Sequence, residues 1–349
     1  MGFNVILRPS GRNYEVPAGS SVLDAALSSG INMPYSCRAG NCKTCRGRVV
    51  QGQVDYGRAH GAYLTEEQKQ NGFALLCQAR PLSDLEVEVE ELVLEQIKPG
   101  LMPCRIKQIR KPASDVAILN LRLPMNENMM FAPGQFVDVL LADGKSRSYS
   151  IASAPSAEGV IDIELHIRHT PGGLFTDRVF SSMKEGELLR LKAPLGSFYL
   201  REESSKPVIF IATGTGIAPI LSMLTYAARK KITRPMRLYW GGRRQADLYI
   251  DEMVRGFESQ LPLTYIPVLS QPRPEDAWTG RTGYVQHAVM QDLSSLSGHQ
   301  VYACGSPAMV EAASSVFVSS AGLPEDEFFG DAFLTAADVA QAAQLAVPV

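Results

Sequence analysis

Apolar and polar residues alternate over 85–90, and in the run 4–7 Val5 and Leu7 stand two apart behind Asn4. A period of two buries one side of an extended segment, so both stretches are predicted as strands. The segment 21–28 is helix-like, and residues 1–95 therefore suggest an α+β unit. Lys98, Pro99 and Gly100 follow; proline and glycine together interrupt either periodicity and predict a linker. From 101 to 201 the pattern turns mainly β, with short strands at 137–141, 147–152, 161–167 and 188–191 between Gly, Pro, Asp and Ser clusters. Such spacing favours a barrel. From 206 onward, apolar strands at 208–212, 237–240, 263–268 and 301–304 alternate with stretches long enough for helices, the pattern of a parallel α/β sheet. The Ala-rich stretch after Leu334 is expected as a short helix or a tail.

A chain of 349 residues exceeds one compact core, which agrees with these three patterns. The 34 basic and 36 acidic residues leave a net charge of −2, so no global charge points to nucleic acid. The most apolar stretch, 208–224, is broken by Thr213-Gly214-Thr215-Gly216 and Pro219, which suits a buried strand, turn and helix better than a membrane span. The first residues lack a secretory h-region, and Ile6 stands where myristoylation prefers Ser or Thr. A cytoplasmic protein, acting as a monomer, is expected. Six cysteines are too few for a disulfide scaffold of this length.

Four of them carry chemistry by their spacing. Cys37, Cys42 and Cys45 follow C-x4-C-x2-C, and Cys77 adds a distant fourth thiol, the plant-type [2Fe-2S] ligand pattern. Structural zinc would more often show two close Cys pairs, whereas here one C-x2-C stands with a lone Cys77. The segment from Pro34 to Cys45, with Leu75-Leu76-Cys77-Gln78-Ala79, resembles the ferredoxin domain of bacterial reductases over residues 1 to about 95. Arg38, Lys43, Arg46 and Arg48 ring the cysteine loop with no acidic residue between 38 and 48, a candidate docking patch for an acidic partner.

Arg147-Ser148-Tyr149-Ser150-Ile151 reads as a strand with Arg147, Tyr149 and Ile151 on one face. With Pro133-Gly134-Gln135-Phe136 before it, the segment resembles the Arg-x-Tyr-Ser flavin motif of the ferredoxin–NADP reductase superfamily. The resemblance implies that Arg147 meets flavin phosphate, and that Tyr149 and Ser150 meet the isoalloxazine and ribityl groups. In 166–176, His166 and Arg168 share a strand face on either side of Ile167 and are candidates for contacts near the flavin. Gly172 and Gly173 precede a helix start that includes Thr176 and offers backbone N–H groups to a pyrophosphate. His169 can equally serve structure alone. FAD rather than FMN is implied by the resemblance.

Gly214-Thr215-Gly216 lies between a buried strand and an apolar helix, where a dinucleotide pyrophosphate would sit. Alone the G-x-G is weak, and Pro219 replaces the last glycine of the usual fingerprint. Gly241-Gly242-Arg243 and Cys304-Gly305-Ser306-Pro307 follow in the same order as in the reductases, so the resemblance spans nearly the whole chain. It implies that Cys304 and Gly305 contact nicotinamide. Arg243 and Arg244 stand where a 2′-phosphate would be read, yet Asp247 is near enough to serve a free 2′-hydroxyl. NADH is favoured over NADPH on the resemblance. Phe333 either covers the flavin ring or closes the core of the last strand. Cys104 lies in no motif.

The expected whole is a multidomain protein: a β-grasp-like α+β ferredoxin domain (1–95), an antiparallel β-barrel FAD domain (101–201), a parallel α/β nucleotide domain (206–335) and a tail (336–349). The resemblance implies transfer of hydride electrons from NAD(P)H through FAD to the cluster, and singly to a partner. That partner is expected to be a Rieske or di-iron oxygenase component. The alternative is a deoxysugar dehydratase served by a CDP-6-deoxy-glucoseen reductase. A redox sensor without turnover and a stand-alone flavin reductase are further alternatives; the second would not need the four cysteines.

Overall fold

The computed structural model describes residues 2–40, 42–59, 61, 63–92, 97 and 99–334. Asn41 of the cysteine loop, Lys98 of the expected linker and the tail 336–349 lie outside them. The chain forms two compact units, the second spanning Ile97–Asp331.

In the first unit, β1 (Phe3–Arg8) pairs antiparallel with β2 (Asn13–Val16), and α1 (Val22–Ser28) follows. Ser21 starts α1 by accepting from the Asp24 N–H at 3.1 Å, satisfying one of the helix's open donors. Next come β3 (Arg46–Gln51), β4 (Val54–Asp55), α2 (Glu66–Gln70), β5 (Phe73–Leu75), β6 (Arg80–Pro81) and β7 (Leu85–Glu88). The main sheet has the order β2-β1-β7-β3-β5 and is mixed: β1 runs parallel to β7, and the other pairs are antiparallel. β4 and β6 form a separate ribbon. The alternating positions Val5, Leu7, Leu85 and Val87 are buried together with Val22, Leu23 and Ala26 of α1.

The second unit holds two sheets. The first comprises β8 (Gly100–Ala113), β9 (Val116–Arg122), β10 (Phe136–Leu140), β11 (Ser146–Ser150), β12 (Asp162–Arg168) and β13 (Leu188–Leu195), in the order β11-β10-β13-β8-β9-β12. Every pairing in it is antiparallel. Gly100, expected in a linker, instead opens β8 opposite Ala193. Helix α3 (Leu174–Ser181) follows β12, and its Phe175 and Val179 enter the sheet's core.

The last sheet alternates with helices: β14 (Val208–Thr213), α4 (Ile217–Lys230), β15 (Met236–Gly242), α5 (Asp251–Arg255), β16 (Leu263–Leu269), β17 (Arg281–Thr282), α6 (Val285–Asp292), β18 (Gln300–Gly305), α7 (Pro307–Ala321) and β19 (Phe328–Ala332). The order is β17-β16-β15-β14-β18-β19, with β14 to β18 parallel. Val208 to Ala212 are all buried, as befits a parallel strand covered on both faces. The chain leaves β14 toward β15 and later returns on its other side as β18. Strand order therefore reverses beside β14, and ligands of such sheets bind where the ends of the two diverging strands open a crevice.

Candidate functional site

In the first unit, the loop from Cys37 to Cys45 is wound tightly by positive φ at Arg38 (54°) and Gly40 (76°). A Cβ at Gly40 would lie 2.9 Å from Gln78 Cγ and 3.0 Å from the Arg58 carbonyl oxygen, so the close turn requires glycine. Backbone N–H groups turn toward sulfur: Ala39 donates to Cys37 Sγ at 3.4 Å, Thr44 to Cys42, and Gly40 to Cys77. Gln78 lies beside Cys77 and anchors on the Arg38 carbonyl at 3.2 Å.

The sulfurs associate as Cys37 with Cys42 and Cys45 with Cys77. Each bond lowers one thiol, Cys42 through Cys37 and Cys77 through Cys45, while their partners are pushed up. Among the described residues no three metal-ligating side chains converge as a single-ion site. Four thiols surrounded by N–H donors fit a [2Fe-2S] cluster, which Cys37, Cys42, Cys45 and Cys77 would hold. The basic patch is partly neutralised. Arg38 pairs with Asp24 at 2.7 Å, Arg48 lies 3.8 Å from Glu88, Arg46 sits over the Phe73 ring, and Lys43 is exposed.

In the second unit, Arg147, Tyr149 and Ile151 share a face as expected. Tyr149 packs on Phe175 with ring centroids 5.4 Å apart, and Ile151 is in the core. Arg147 donates to the Ser146 carbonyl at 2.8 Å, and Ser150 is buried. Ile167 points into the core, which leaves only its backbone for a ligand. Both ring nitrogens of His166 are engaged: Nδ1 with the Tyr249 hydroxyl at 2.7 Å and Nε2 with Glu164 at 2.9 Å. The ring thus ties β12 to the segment after β15. Arg168 donates through Nε to Asp115 at 2.9 Å and through Nη2 to Asp247 at 3.3 Å.

Helix α3 begins at Gly173 with no side-chain cap, leaving its first N–H groups available, and Gly172 beside it has φ 79°. Thr176 is spent on its own loop, bonding the Thr170 and Gly173 carbonyls. His169 bonds Asp177 at 2.8 Å and stacks on Phe180 at 4.8 Å, a structural role.

At the crevice beside β14, Gly214–Gly216 form one 3₁₀ turn into α4, whose start also lacks a side-chain cap. A Cβ on Gly216 would fall 2.2 Å from the Cys304 carbonyl oxygen, and one on Gly305 2.4 Å from Thr213 Oγ1. The ends of β14 and β18 thus approach too closely for any residue but glycine, and Trp240 Nε1 fixes the Gly214 carbonyl at 3.0 Å. Thr215 is buried. Such a backbone cradle at an uncapped helix start suits a dinucleotide pyrophosphate. Arg168 reaches the same place, its Nη1 lying 2.5 Å from a Cβ built at Gly214.

Cys304 is fully buried. Burial, then the nearby Asp331 carboxylate, pushes its thiol well up, and the S–H faces Asp331 Oδ2 at 3.9 Å. Phe333 follows β19 directly and is half-buried. The guanidiniums of Arg243 and Arg244 are held by carboxylates, Arg243 by Asp247 and Arg244 by Asp276 and Glu275. Sequence reasoning missed Tyr249, Asp115 and Asp276, since no local motif marks side chains that meet across 32 to 83 residues of sequence, and it missed Glu164, which lies only two residues from His166.

Three family models match this chain: a 2Fe-2S iron-sulfur cluster binding domain over 5–82, an oxidoreductase FAD-binding domain over 103–199, and an oxidoreductase NAD-binding domain over 210–315. The CDP-6-deoxy-L-threo-D-glycero-4-hexulose-3-dehydrase reductase of Yersinia pseudotuberculosis is 39% identical over 335 residues, 96% of this chain and 99% of its own length. The terephthalate 1,2-dioxygenase reductase component 2 of Comamonas is 33% identical over 340 residues, 96% and 98% of the two chains. Among solved structures, a cytochrome P450 reductase of Amycolatopsis has a TM-score of 0.77 at 31% identity, covering 95% of this chain and 98% of the other.

Proposed function

Because this chain belongs to the family of reductases that join a [2Fe-2S] ferredoxin domain to FAD- and NAD(P)-binding domains, we propose that it feeds electrons to a deoxysugar dehydratase. The family activity itself is plain: electrons pass from NAD(P)H via FAD to the cluster and on to a partner redox protein. The observation carrying the choice of partner is the 39% identity, over nearly the full length of both chains, to a CDP-hexulose dehydrase reductase, against 33% to an oxygenase reductase. This favours the deoxysugar partner over the oxygenase expected first.

The domains fall at 1–95, 101–201 and 206–335, the first a β-grasp. Closure of the antiparallel sheet into a barrel is supported by the bridge between Ile151 and Leu165 and by the Ala152 N–H bond to the Glu164 carbonyl at 2.8 Å, which join the strand after β11 to β12. In this account Arg147 neutralises flavin phosphate, Tyr149 and Ser150 position the ring system, and the 166–168 backbone with Gly172 and Gly173 lines the remaining cradle. Gly214, Thr215 and Gly216 present backbone N–H groups to the nucleotide pyrophosphate. Gly305 keeps β18 close, and Cys304 holds its proton beside the nicotinamide position. FAD, when bound, supplies the conversion of a two-electron hydride into single electrons. No helix among the described residues is long and apolar enough to cross a membrane, and six cysteines without a disulfide, four of them cluster ligands, suit a reducing cytoplasm.

The test is reconstitution of holoprotein with a CDP-hexulose dehydrase and its substrate. Dehydrase-dependent NADH oxidation with formation of the 3-deoxy product supports the proposal. Efficient coupling to an aromatic-ring dioxygenase component, with none to the dehydrase, would contradict it.

A further inference from the structure

We propose that Glu275 and Asp276 set the nucleotide preference of the site by occupying Arg244, so that a dinucleotide with a free 2′-hydroxyl is accepted and its 2′-phosphate form is turned away. The inference rests on the nucleotide role proposed above for the crevice at Gly214–Gly216.

In a sheet of this kind the ribose 2′-substituent is read just beyond the second strand, by a carboxylate for the hydroxyl or by an arginine for the phosphate. Here that strand is β15, and the chain beyond it carries Arg243 and Arg244. By sequence the pair would invite a phosphate. The folded chain withdraws both. Asp247 takes Arg243 through Nε and Nη2, each at 3.2 Å, and also accepts the backbone N–H groups of 243 and 244 at 2.8 and 3.2 Å. Arg244 makes a two-point fork with Asp276, Nε to Oδ2 at 2.6 Å and Nη2 to Oδ1 at 3.0 Å, and Nη2 also reaches Glu275 at 3.0 Å. This planar geometry is the one a phosphate would have used.

The competing carboxylate is built in rather than incidental. Asp276 is only 10% exposed, and it accepts the Arg273 N–H at 2.8 Å, closing the turn that carries it. That loop is joined to the end of β15 by two backbone bonds, Ser270 N–H to the Gly242 carbonyl at 2.9 Å and Gln271 N–H to the Arg243 carbonyl at 3.0 Å. Around Arg168, Arg243, Arg244 and Arg273 stand Asp115, Asp247, Glu275 and Asp276, four guanidiniums already matched by four carboxylates. A phosphate arriving here would have to displace carboxylates and then lie among them.

The experiment compares kcat/KM for NADH and NADPH in cluster- and FAD-replete wild-type protein and in a Glu275→Gln, Asp276→Asn double variant. Competition by 2′,5′-ADP against 5′-AMP gives a readout independent of turnover. The expected result is wild-type preference for NADH, and in the variant a rise of about 10- to 100-fold in the NADPH to NADH ratio, the scale of one charge-assisted phosphate contact. Tighter 2′,5′-ADP binding should accompany it. Adding Arg244→Ala should abolish the gain. An unchanged ratio in a variant with normal flavin content, a gain that survives Arg244→Ala, or a wild-type preference for NADPH would each overturn the inference. Wild-type holoprotein that oxidises neither nucleotide would instead refute the functional proposal beneath it.

Discussion

Replacing Tyr249 by Phe isolates one bond in the contact between the second unit's two sheets. The His166 side chain is fully buried, and its Nε2 faces the Glu164 carboxylate at 2.9 Å, so Nε2 carries the proton and Nδ1 accepts from the Tyr249 hydroxyl at 2.7 Å. Loss of that hydroxyl leaves a buried acceptor without a partner, at a cost of about 1–3 kcal/mol. The ring remains, keeping its edge contacts with Trp240 at 5.5 Å and with His166 at 5.5 Å, so little packing is lost. Urea unfolding of holoprotein, followed by tryptophan fluorescence and flavin release, should show the transition of the second unit moving down by that amount. In a His166→Leu background the same change should cost less than about 0.5 kcal/mol, because no acceptor is left to orphan. A cost below that value in the wild-type background, or an equal cost in both, would refute the bond's importance.

Other expectations follow from the same geometry. Cys42→Ser should remove the cluster's visible absorption while NADH-dependent ferricyanide reduction persists, since flavin reduction precedes the cluster; loss of both in folded protein would contradict that order. Arg147→Ala should weaken FAD binding by about 1.5–3 kcal/mol if its guanidinium meets phosphate, and equilibrium dialysis showing unchanged affinity would move that contact elsewhere. Burial alone would raise the Glu164 and Asp247 carboxyls, but His166 and Arg110 for the first, and Arg243 with two backbone N–H groups for the second, outweigh it and hold both low. Their contribution to stability is therefore complete above the unfolded values, about 4.3 and 3.9, and is lost as pH falls through the lower folded values. Urea midpoints should change little from these groups between pH 7 and 5 and drop below about pH 4, with a shallower acid slope in Asp247→Asn; an identical slope would show that Asp247 is not a contributor.

Much of the fold was legible because burial imposes simple periods. Val5 and Leu7 stand two apart and are buried while Asn4, Ile6 and Arg8 are not, as on a sheet buried on one face, and the unbroken apolar run from Val208 to Ala212 marks a strand covered on both. β8 was not legible: Pro103, Arg105, Lys107, Arg110, Lys111 and Pro112 blur its alternation, and its strand form depends on pairing with β13 and β9. At the site, spacing pointed to four thiols, but their association as Cys37–Cys42 and Cys45–Cys77 depends on how the chain brings position 77 back to the loop. Arg243 and Arg244 read as candidates for a 2′-phosphate with Asp247 nearby, and sequence did not show that Asp276, from beyond β16, would hold Arg244. His166 read as a flavin contact, and only folding shows its ring consumed by Tyr249 and Glu164. Charge partners distant in sequence decide what these side chains can do, and a local motif does not contain them.

The central claim is the ordered path from nicotinamide to cluster within one chain. It is tested most directly by adding NADH anaerobically to holoprotein while recording visible and electron-spin resonance spectra in parallel. The account predicts bleaching of the flavin absorption together with the rhombic signal of a reduced [2Fe-2S] centre, and in Cys42→Ser the bleaching without the signal. A flavin that bleaches in wild-type protein while a fully loaded cluster stays oxidised would contradict it.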